Sequence, residues 1–214
     1  MKIAMKTPTR LAVALACAAF VLPLPLSAAA PFLDDIIKPE HQKALQSAER
    51  ELDQYARSFE KDANQTTAAT ARELLALLNL PRGKAPEPKS LIGKWKVRSL
   101  QANENSVRSY PFFDCEFLAE GPEGVVFKKD TGSQRRSGLV GKGENGRTLF
   151  AGGSYYSDSS PAGYSGLQES SVKTDIAHRD SVGYVFQIDE NHLLIVFAPT
   201  QYGSEVYELK RAKK

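Results

Sequence analysis

The sequence predicts a mainly β protein with N-terminal helices (α+β), in which a helical hairpin precedes an antiparallel up-and-down β-barrel. The first observation behind this prediction is a change of hydrophobic period. Apolar residues recur every three to four positions before about residue 80 and every second position after about residue 90. The second observation is that short turns containing Gly or Asn separate the alternating segments. A sandwich of two sheets is the alternative arrangement of the same strands.

The N-terminal residues have the composition of a secretory signal peptide, which we assign to residues 1–29. A basic stretch that ends at Arg10 precedes the apolar segment Leu11–Leu24, and small residues follow at Ser27–Ala30. We therefore expect a periplasmic or secreted protein from which this peptide has been cleaved. No later segment is both long and apolar enough to cross a bilayer, so we expect no membrane span in the mature chain.

The charge balance argues against nucleic-acid binding. Loss of residues 1–29 removes three of the 28 Lys and Arg residues and none of the 25 Asp and Glu residues. The mature chain is therefore formally neutral when its histidines are uncharged. A neutral chain has no net basic field that would attract phosphate groups, so we expect no nucleic-acid partner.

Two helices are predicted before the β-rich part of the chain. A stripe of apolar residues at three- and four-residue spacing predicts the first helix from Pro39 to about Asp62. Asn64 is placed to cap a second helix, which ends before Pro81. Such stripes are typical of a helical hairpin that covers another part of a hydrophobic core.

The chain after the signal peptide divides into three regions. Residues 30–80 are helical, residues 81–90 are a Pro-rich linker and residues 91–214 are the β-barrel domain. The barrel domain contains about eight alternating segments, enough to close a small barrel. The predicted strands are Gly93–Arg98, Tyr110–Ala119, Gly124–Lys129, Gln134–Gly141, Arg147–Ser157, Ser181–Ile188, His192–Ala198 and Glu205–Arg211.

The side chains that the alternation places inside the barrel are bulky enough to fill it. They are Trp95, Val97, Phe113, Cys115, Phe117, Phe127, Tyr184 and Phe186.

The segment from Lys129 to Gly138 is unusually dense in hydrogen-bonding side chains. Neighbouring strand residues face opposite sides of a sheet, so only one of its two arginines enters the barrel. If the apolar Leu139 points inward, Arg135 does too, and Arg136 faces solvent. The predicted binding residues are Lys129, Thr131, Ser133, Gln134, Arg135, Arg136 and Asp180.

An inward Arg135 needs a carboxylate partner, because a buried guanidinium without one costs several kcal/mol. The candidate partners are Glu116, Asp158, Asp175 and Asp180. Such a pair would be either a structural clamp between strands or an anion-recognition site at the barrel mouth. The structural clamp is the role we expect.

The sequence shows no arrangement of catalytic or metal-binding residues. Cys115 is the only thiol once residues 1–29 are lost, and its expected role is that of a small buried side chain. The three histidines are scattered, and their spacing does not match that of metal ligands. His178-Arg179-Asp180 has the letters of a kinase catalytic loop, but the other kinase segments are missing. We therefore expect a protein that is not an enzyme and has no cofactor or metal.

Gly93-Lys94-Trp95, at the start of the first strand, resembles the Gly-x-Trp opening of lipocalins and other calycin barrels. In these barrels the Trp closes one end, and a basic residue from the last strand packs across it. The resemblance implies a calycin-like barrel in which Trp95 has this structural role. It also implies that Arg211, or alternatively Lys210, packs across Trp95.

A second resemblance covers nearly the whole β half. The string K-x-T-G-S-Q-R-x-x-G, from Lys129 to Gly138, is accompanied by the segments Gly93–Gln101, Tyr110–Phe113 and Tyr207–Leu209. These segments resemble an uncharacterised family of exported proteobacterial proteins, a domain of unknown function. The resemblance implies export and a domain extent, but no activity and no functional residue.

These observations lead us to expect an exported, non-enzymatic envelope protein. Because the predicted interior is filled by bulky side chains, the first hypothesis is a protein-interaction or accessory module, such as an inhibitor-like barrel. The alternative is a calycin-like barrel that binds a small molecule or a lipid, which requires an unfilled interior. The expected partner is thus a protein or a small ligand.

Overall fold

The computed structural model describes residues 32–120, 124–167 and 179–213. The signal peptide assigned to residues 1–29 lies outside this part of the chain, as do Asp175 and His178. The described helices are α1 (Pro39–Phe59) and α2 (Gln65–Leu78). The described strands are β1 (Gly93–Asn103), β2 (Ser106–Ser109), β3 (Phe113–Glu120), β4 (Gly124–Lys129), β5 (Gln134–Lys142), β6 (Thr148–Tyr156), β7 (Asp180–Asp189), β8 (His192–Phe197) and β9 (Ser204–Arg211).

Eight strands close into an antiparallel barrel, which confirms the predicted fold class. Strands β3 to β9 follow one another around the sheet, and β1 pairs with both β3 and β9. The pairing of β1 with β9 runs from Trp95 opposite Arg211 to Ala102 opposite Ser204, and it closes the ring. The two-sheet sandwich is therefore wrong.

The first strand is longer than predicted, and a short strand after it was not predicted. Strand β1 continues to Asn103, and the chain returns as β2, which pairs with the second half of β1. Asn103 Oδ1 accepts hydrogen bonds from the backbone nitrogens of Asn105 and Ser106 at 3.0 and 2.9 Å. In this turn the Asn103 side chain bonds to the backbone two and three residues ahead. The polar residues of the turn are typical of a loop, which is why β2 was not predicted.

Aromatic rings fill most of the barrel interior. The Phe127 ring centroid lies 5.1 Å from that of Phe117 and 6.0 Å from that of Phe150. Trp95, Val97, Cys115, Phe117 and Phe127 are inside, as predicted. The other buried residues of this cluster are Leu91, Val125, Val140, Phe150, Val185, Leu193, Ile195, Phe197, Tyr207 and Leu209.

Two residues predicted to lie inside, Tyr184 and Phe186, face the outside of the barrel. Val185, between them, takes the inward position on β7. The outer rings are covered by guanidinium groups, with Arg82 Cζ 4.4 Å from the Phe186 centroid and Arg147 Cζ 4.8 Å from that of Tyr184. The prediction failed because both faces of β7 are covered, so an apolar residue does not identify the inner face.

A pair of glycines creates space for the central rings. Gly138 on β5 and Gly152 on β6 are opposite each other, and Gly138 is also opposite Phe127 on β4. A Cβ atom on Gly152 would lie 2.1 Å from the carbonyl oxygen of Ser137. One on Gly138 would lie 2.4 Å from Gly152 Cα. The two strands therefore approach too closely at this point for any side chain.

The two helices form the predicted hairpin, which packs on the outer face of the barrel. Asn64 Oδ1 accepts hydrogen bonds from the backbone nitrogens of Thr66 and Thr67 at 3.0 and 3.2 Å, so Asn64 caps α2 as predicted. The buried residues shared by hairpin and barrel are Ala48, Leu52, Ala56, Ala71, Leu74, Leu75, Leu77, Leu100, Ala102, Val107, Leu194, Val196 and Val206. This side of the barrel is therefore an internal surface of the protein.

One end of the barrel is closed around Trp95. The Nε1 atom of Trp95 donates a hydrogen bond to the carbonyl oxygen of Leu91 at 2.8 Å, in a short 3-10 helix. Arg211 Cζ lies 4.3 Å from the Trp95 ring, and Arg211 Nη2 donates to the carbonyl oxygen of Ser90 at 3.0 Å. Arg211 is thus the residue that packs across Trp95, whereas Lys210 Nζ lies near Glu208, on the outer face. In the part of the chain that the structure describes, the opposite end of the barrel contains a cavity.

Candidate functional site

The open end of the barrel contains a cavity of about 360 Å³, which we call the mouth cavity. Strands β1, β5, β6, β7, β8 and β9 and the turn before β9 contribute to its wall. The wall includes Gln101, Gln134, Arg135, Ser154, Arg179 and Asp180. At its inner boundary lie Arg136, Glu205, Phe197 and Tyr207, all of which also line it. The mouth cavity thus collects four of the predicted binding residues: Gln134, Arg135, Arg136 and Asp180.

Arg136 points into the barrel and Arg135 points away from it, the reverse of the prediction. Arg136 is 8 % exposed, whereas Arg135 is only partly buried and its Nε donates to the carbonyl oxygen of Gly132 at 3.3 Å. The prediction assumed that Leu139 faces the interior. Leu139 instead packs on the outer face of the barrel, against a cluster that includes Leu33. An N-terminal segment that covers this face explains the apolar residue there.

Arg136 and Glu205 form a largely buried ion pair at the inner boundary of the mouth cavity. Arg136 Nη2 donates to Glu205 Oε2 at 2.7 Å. The guanidinium also lies against two rings, with its Cζ 3.8 Å from the centroid of Phe197 and 4.7 Å from that of Tyr207. Its Nε and Nη1 atoms are buried and have no hydrogen-bond partner among the described residues. Glu205 was not among the candidate partners proposed from the sequence.

The Glu205 carboxylate has two further donors on β1. Ser99 Oγ donates to Oε1 at 2.5 Å, and Gln101 Nε2 donates to the same oxygen at 3.1 Å. Burial acts to raise the pKa of Glu205, but the charge of Arg136 and these hydrogen bonds together hold that pKa below its ordinary value. Glu205 is therefore a fixed carboxylate whose acceptor sites are largely occupied.

Lys129 lies beside Arg136 on the inner side of the barrel, in register on the neighbouring strand. It is 4 % exposed. Its Nζ donates to the carbonyl oxygens of Thr131 and Gln134 and lies 4.9 Å from the ring of the partly buried Phe113. Burial and then the nearby charge of Arg136 lower the pKa of Lys129. Within the described part of the chain, its ammonium forms no ion pair with a carboxylate.

The remaining residues of the predicted string have local roles in the turn between β4 and β5. Thr131 Oγ1 donates to the carbonyl oxygen of Asp114 at 2.6 Å. Ser133 is exposed, and its carbonyl oxygen accepts a hydrogen bond from the backbone nitrogen of Ser157 at 2.9 Å. Gln134 Oε1 accepts from Gln101 Nε2 at 3.2 Å across the mouth. Thr131 and Ser133 therefore shape the turn rather than line the cavity.

Asp180 lines the mouth cavity, but its carboxylate contacts Lys38 of the N-terminal segment. Its Oδ2 accepts from Ser165 Oγ at 2.5 Å and lies 3.4 Å from Lys38 Nζ, and its side chain is 1 % exposed. Lys38 Nζ also donates to Ser165 Oγ at 2.6 Å. The three residues come from distant parts of the chain, and no sequence pattern indicates their contact.

A neighbouring contact involves the same N-terminal segment. Tyr164 is buried, and its Oη lies 2.8 Å from His41 Nδ1 and accepts a hydrogen bond from the backbone nitrogen of Lys38 at the same distance. Burial raises the pKa of Tyr164 to about 12. These hydrogen bonds hold the segment before helix α1 against the loop that leads toward β7.

Other reactive groups do not form a second site in the described residues. Cys115 is buried and faces the interior, and burial raises the pKa of its thiol well above the ordinary range. Among residues 32–120, 124–167 and 179–213, no three His, Cys, Asp or Glu side chains come together in an arrangement that could hold a metal ion.

Among the described residues, no helix has both the length and the apolar character needed to cross a membrane.

Among curated proteins, none matches this chain. A family model with the description "Domain of unknown function (DUF4893)" matches residues 34–209. The match begins before α1 and ends near the C-terminal end of β9, so it includes the helical hairpin, the barrel and every residue of the mouth cavity. Because the match covers well over half of the sequence, the chain belongs to the DUF4893 family.

Proposed function

We propose that this protein is an exported, non-enzymatic binding module that holds a small polar molecule in the mouth cavity. The observation that carries the proposal is a cavity of about 360 Å³ at the one open end of a barrel whose remaining interior is filled. Pockets that bind small molecules are commonly concave and preformed, with a few convergent polar groups. The mouth cavity has this character, since a buried ion pair and several amide and hydroxyl groups converge on it.

The packing of the interior argues against a lipid as the ligand. A lipid-binding barrel needs an apolar cavity long enough for an acyl chain. Here the rings of Phe197 and Tyr207 lie next to Arg136 with their centroids 4.9 Å apart, and Phe127 and Phe150 fill the space beyond them. The available space is therefore confined to the polar end.

A protein-interaction module is a second candidate, favoured by the rim of the mouth cavity. Tyr202 and Tyr156 line the cavity and are 76 % and 57 % exposed. Tyrosines of this kind are enriched in protein interfaces because they provide a large contact area together with a hydroxyl group. A partner would place a loop or a chain end over the rim.

The proposal is tested by mapping ligand binding on the mature chain with two-dimensional NMR. We expect a mixture of amino acids, monosaccharides and short organic acids to shift the amides of Ser154 and Gly203, whereas an uncharged lipid, a monoacylglycerol, shifts neither. Ser154→Leu, which fills the cavity, should abolish the shifts. Ser137→Leu, on the opposite face of the neighbouring strand, is the matched control and should leave the Gly203 shift unchanged.

A different result would favour the second candidate. Suppose that no small molecule shifts the amides of the mouth cavity. A photo-crosslinking residue at position 202 should then capture a protein from the envelope fraction. The same residue in place of Phe112, an exposed aromatic residue just before β3, should capture none. Capture at both positions, or at neither, would contradict a protein-binding role for the rim.

Export is tested separately by the intact mass of the protein from the envelope fraction. We expect a mature N-terminus between Ala29 and Phe32. A full-length chain found in the cytoplasm would contradict export.

A further inference from the structure

Arg136 and Glu205 line the inner boundary of the mouth cavity, Lys129 lies beside Arg136 on the neighbouring strand, and the three charges do not cancel. Lys129 and Arg136 are neighbours on β4 and β5, and Glu205 is the carboxylate that pairs with Arg136. Lys129 contacts two backbone carbonyls and the face of a ring. The buried cluster therefore has two positive charges and one negative charge, a formal excess of one positive charge.

An excess charge of this kind is unfavourable in a buried position. Transfer of an ion from water into a protein interior costs several kcal/mol unless an opposite charge and hydrogen bonds replace its hydration. The backbone carbonyls around Lys129 replace part of the hydration but supply no formal charge. Burial and then the charge of Arg136 lower the pKa of Lys129.

The rim of the mouth cavity does not supply the missing negative charge. Apart from Glu205 at the inner boundary, Asp180 is the only carboxylate among the described lining residues, and it already contacts Lys38 and Ser165. Arg135 and Arg179 line the same cavity and add further positive charge. The lining therefore has three arginines against two carboxylates, a formal excess of positive charge.

We propose that the mouth cavity binds a small molecule with a single carboxylate group, which neutralises the excess charge beside Arg136. This inference rests on the proposed function and specifies the class of its ligand. Arg136 lines the cavity, and its Nε and Nη1 atoms have no partner among the described residues. Because Nε and Nη1 lie on different sides of the guanidinium, each can donate a charge-assisted hydrogen bond to one oxygen of a carboxylate.

The charge of the inner cluster, counted without the arginines of the rim, favours a carboxylate over a phosphate. One carboxylate brings the cluster of Lys129, Arg136 and Glu205 to neutrality. A phosphate dianion would leave a net negative charge close to Glu205, which is fixed in its charged form by Arg136, Ser99 and Gln101. Like charges at this distance repel each other.

The rim adds a preference for a flat apolar part of the ligand. Tyr156 and Tyr202 both line the cavity and are largely exposed. Aromatic faces of this kind stack on planar groups. Benzoate, which combines a carboxylate with a ring, is therefore a suitable probe, and benzamide is its uncharged counterpart of nearly the same shape.

The experiment titrates the mature chain with benzoate, benzamide and inorganic phosphate at constant ionic strength, with the NMR shift of the Ser154 and Gly203 amides as the measurement. We expect saturable binding of benzoate and at least about tenfold weaker binding of benzamide and phosphate. Lys129→Gln removes the excess charge, keeps a donor for the turn carbonyls and should weaken benzoate binding about tenfold. Lys128→Gln, which removes an exposed ammonium paired with Asp130, is the matched control and should have no such effect.

The outcomes separate this inference from the function on which it rests. Equal binding of benzoate and benzamide, or tighter binding of phosphate than of benzoate, would overturn the carboxylate inference and leave a polar ligand site. Binding of no small molecule at the mouth would overturn the proposed function itself. If Lys129→Gln lowers the melting temperature strongly, the comparison of benzoate with benzamide on the unsubstituted chain still decides the question.

Discussion

Arg136 on β5 and Glu205 on β9 are joined by an ion pair across the mouth of the barrel, with Nη2 2.7 Å from Oε2. Arg136 is buried, the Glu205 side chain is 17 % exposed, and the strands that carry them are not neighbours in the sheet. The pair therefore links opposite walls of the barrel at its open end. It also places a cation and its partner at the inner boundary of the mouth cavity.

The two adjacent arginines should differ sharply in their contribution to stability. Arg136→Ala leaves Glu205 buried without its partner and should lower the free energy of unfolding by about 3 kcal/mol or more. Arg135→Ala removes a partly exposed side chain and should cost less than about 1 kcal/mol. Urea denaturation of both variants measures the difference. A double variant, Arg136→Met with Glu205→Gln, should be more stable than Arg136→Ala, because no carboxylate at position 205 is left without its partner. Equal effects of the two alanine variants would contradict the orientation described here.

Glu205 should make the protein less stable in acid. Its pKa is below the ordinary value of 4.5 in the folded state, so between these two values the unfolded chain binds more protons than the folded one. The stabilisation is therefore complete above the ordinary pKa and is lost as the pH falls through the folded-state pKa. Urea midpoints measured from pH 6 to pH 3 should fall less steeply for Glu205→Gln than for the unsubstituted chain. Identical slopes would show that Glu205 is not stabilised in its charged form.

The close approach of β5 and β6 at their paired glycines should not tolerate a methyl group. In Gly152→Ala the added Cβ would lie 2.1 Å from the Ser137 carbonyl oxygen, so strand atoms have to move. We expect a loss of about 1–3 kcal/mol or more in the free energy of unfolding. Gly141→Ala is the control, because its Cβ would lie 3.7 Å from the nearest Leu33 atom, an ordinary contact distance. The melting temperature of Gly152→Ala should therefore be lower than that of Gly141→Ala. Equal melting temperatures would contradict the close approach of the two strands.

The barrel should fold without the helical hairpin but with lower stability. A chain that begins at Ser90 retains every strand of the ring, whereas it exposes outward residues such as Leu100, Val196 and Val206. We expect a sheet-type circular dichroism spectrum, a cooperative melt at lower temperature and increased binding of a hydrophobic dye. Loss of the cooperative melt would show that hairpin and barrel form one folding unit.

The sequence by itself determined the local elements of this protein, because their signals depend on neighbouring residues. Asn64 caps α2 through backbone groups two and three residues away, and Gly132 and Gly146 have positive φ angles in the predicted turns. The alternation of apolar residues located most strands, and the opening Gly-Lys-Trp indicated the closed end. These features need no knowledge of which other parts of the chain are nearby.

Which face of each strand is inside was decided only by the tertiary structure. Alternation separates two faces, but it identifies the inner one only if the outer one is left to solvent. Here the N-terminal segment covers β5 and the helical hairpin covers β8, where five consecutive residues, Leu193–Phe197, are buried. The prediction that Leu139 faces the interior was therefore wrong, and so were the orientations of Arg135 and Arg136 inferred from it. Arg136 and Glu205 are 69 positions apart, and closure of the barrel brings them together. Lys38 and Asp180 are 142 positions apart, and docking of the N-terminal segment brings them together.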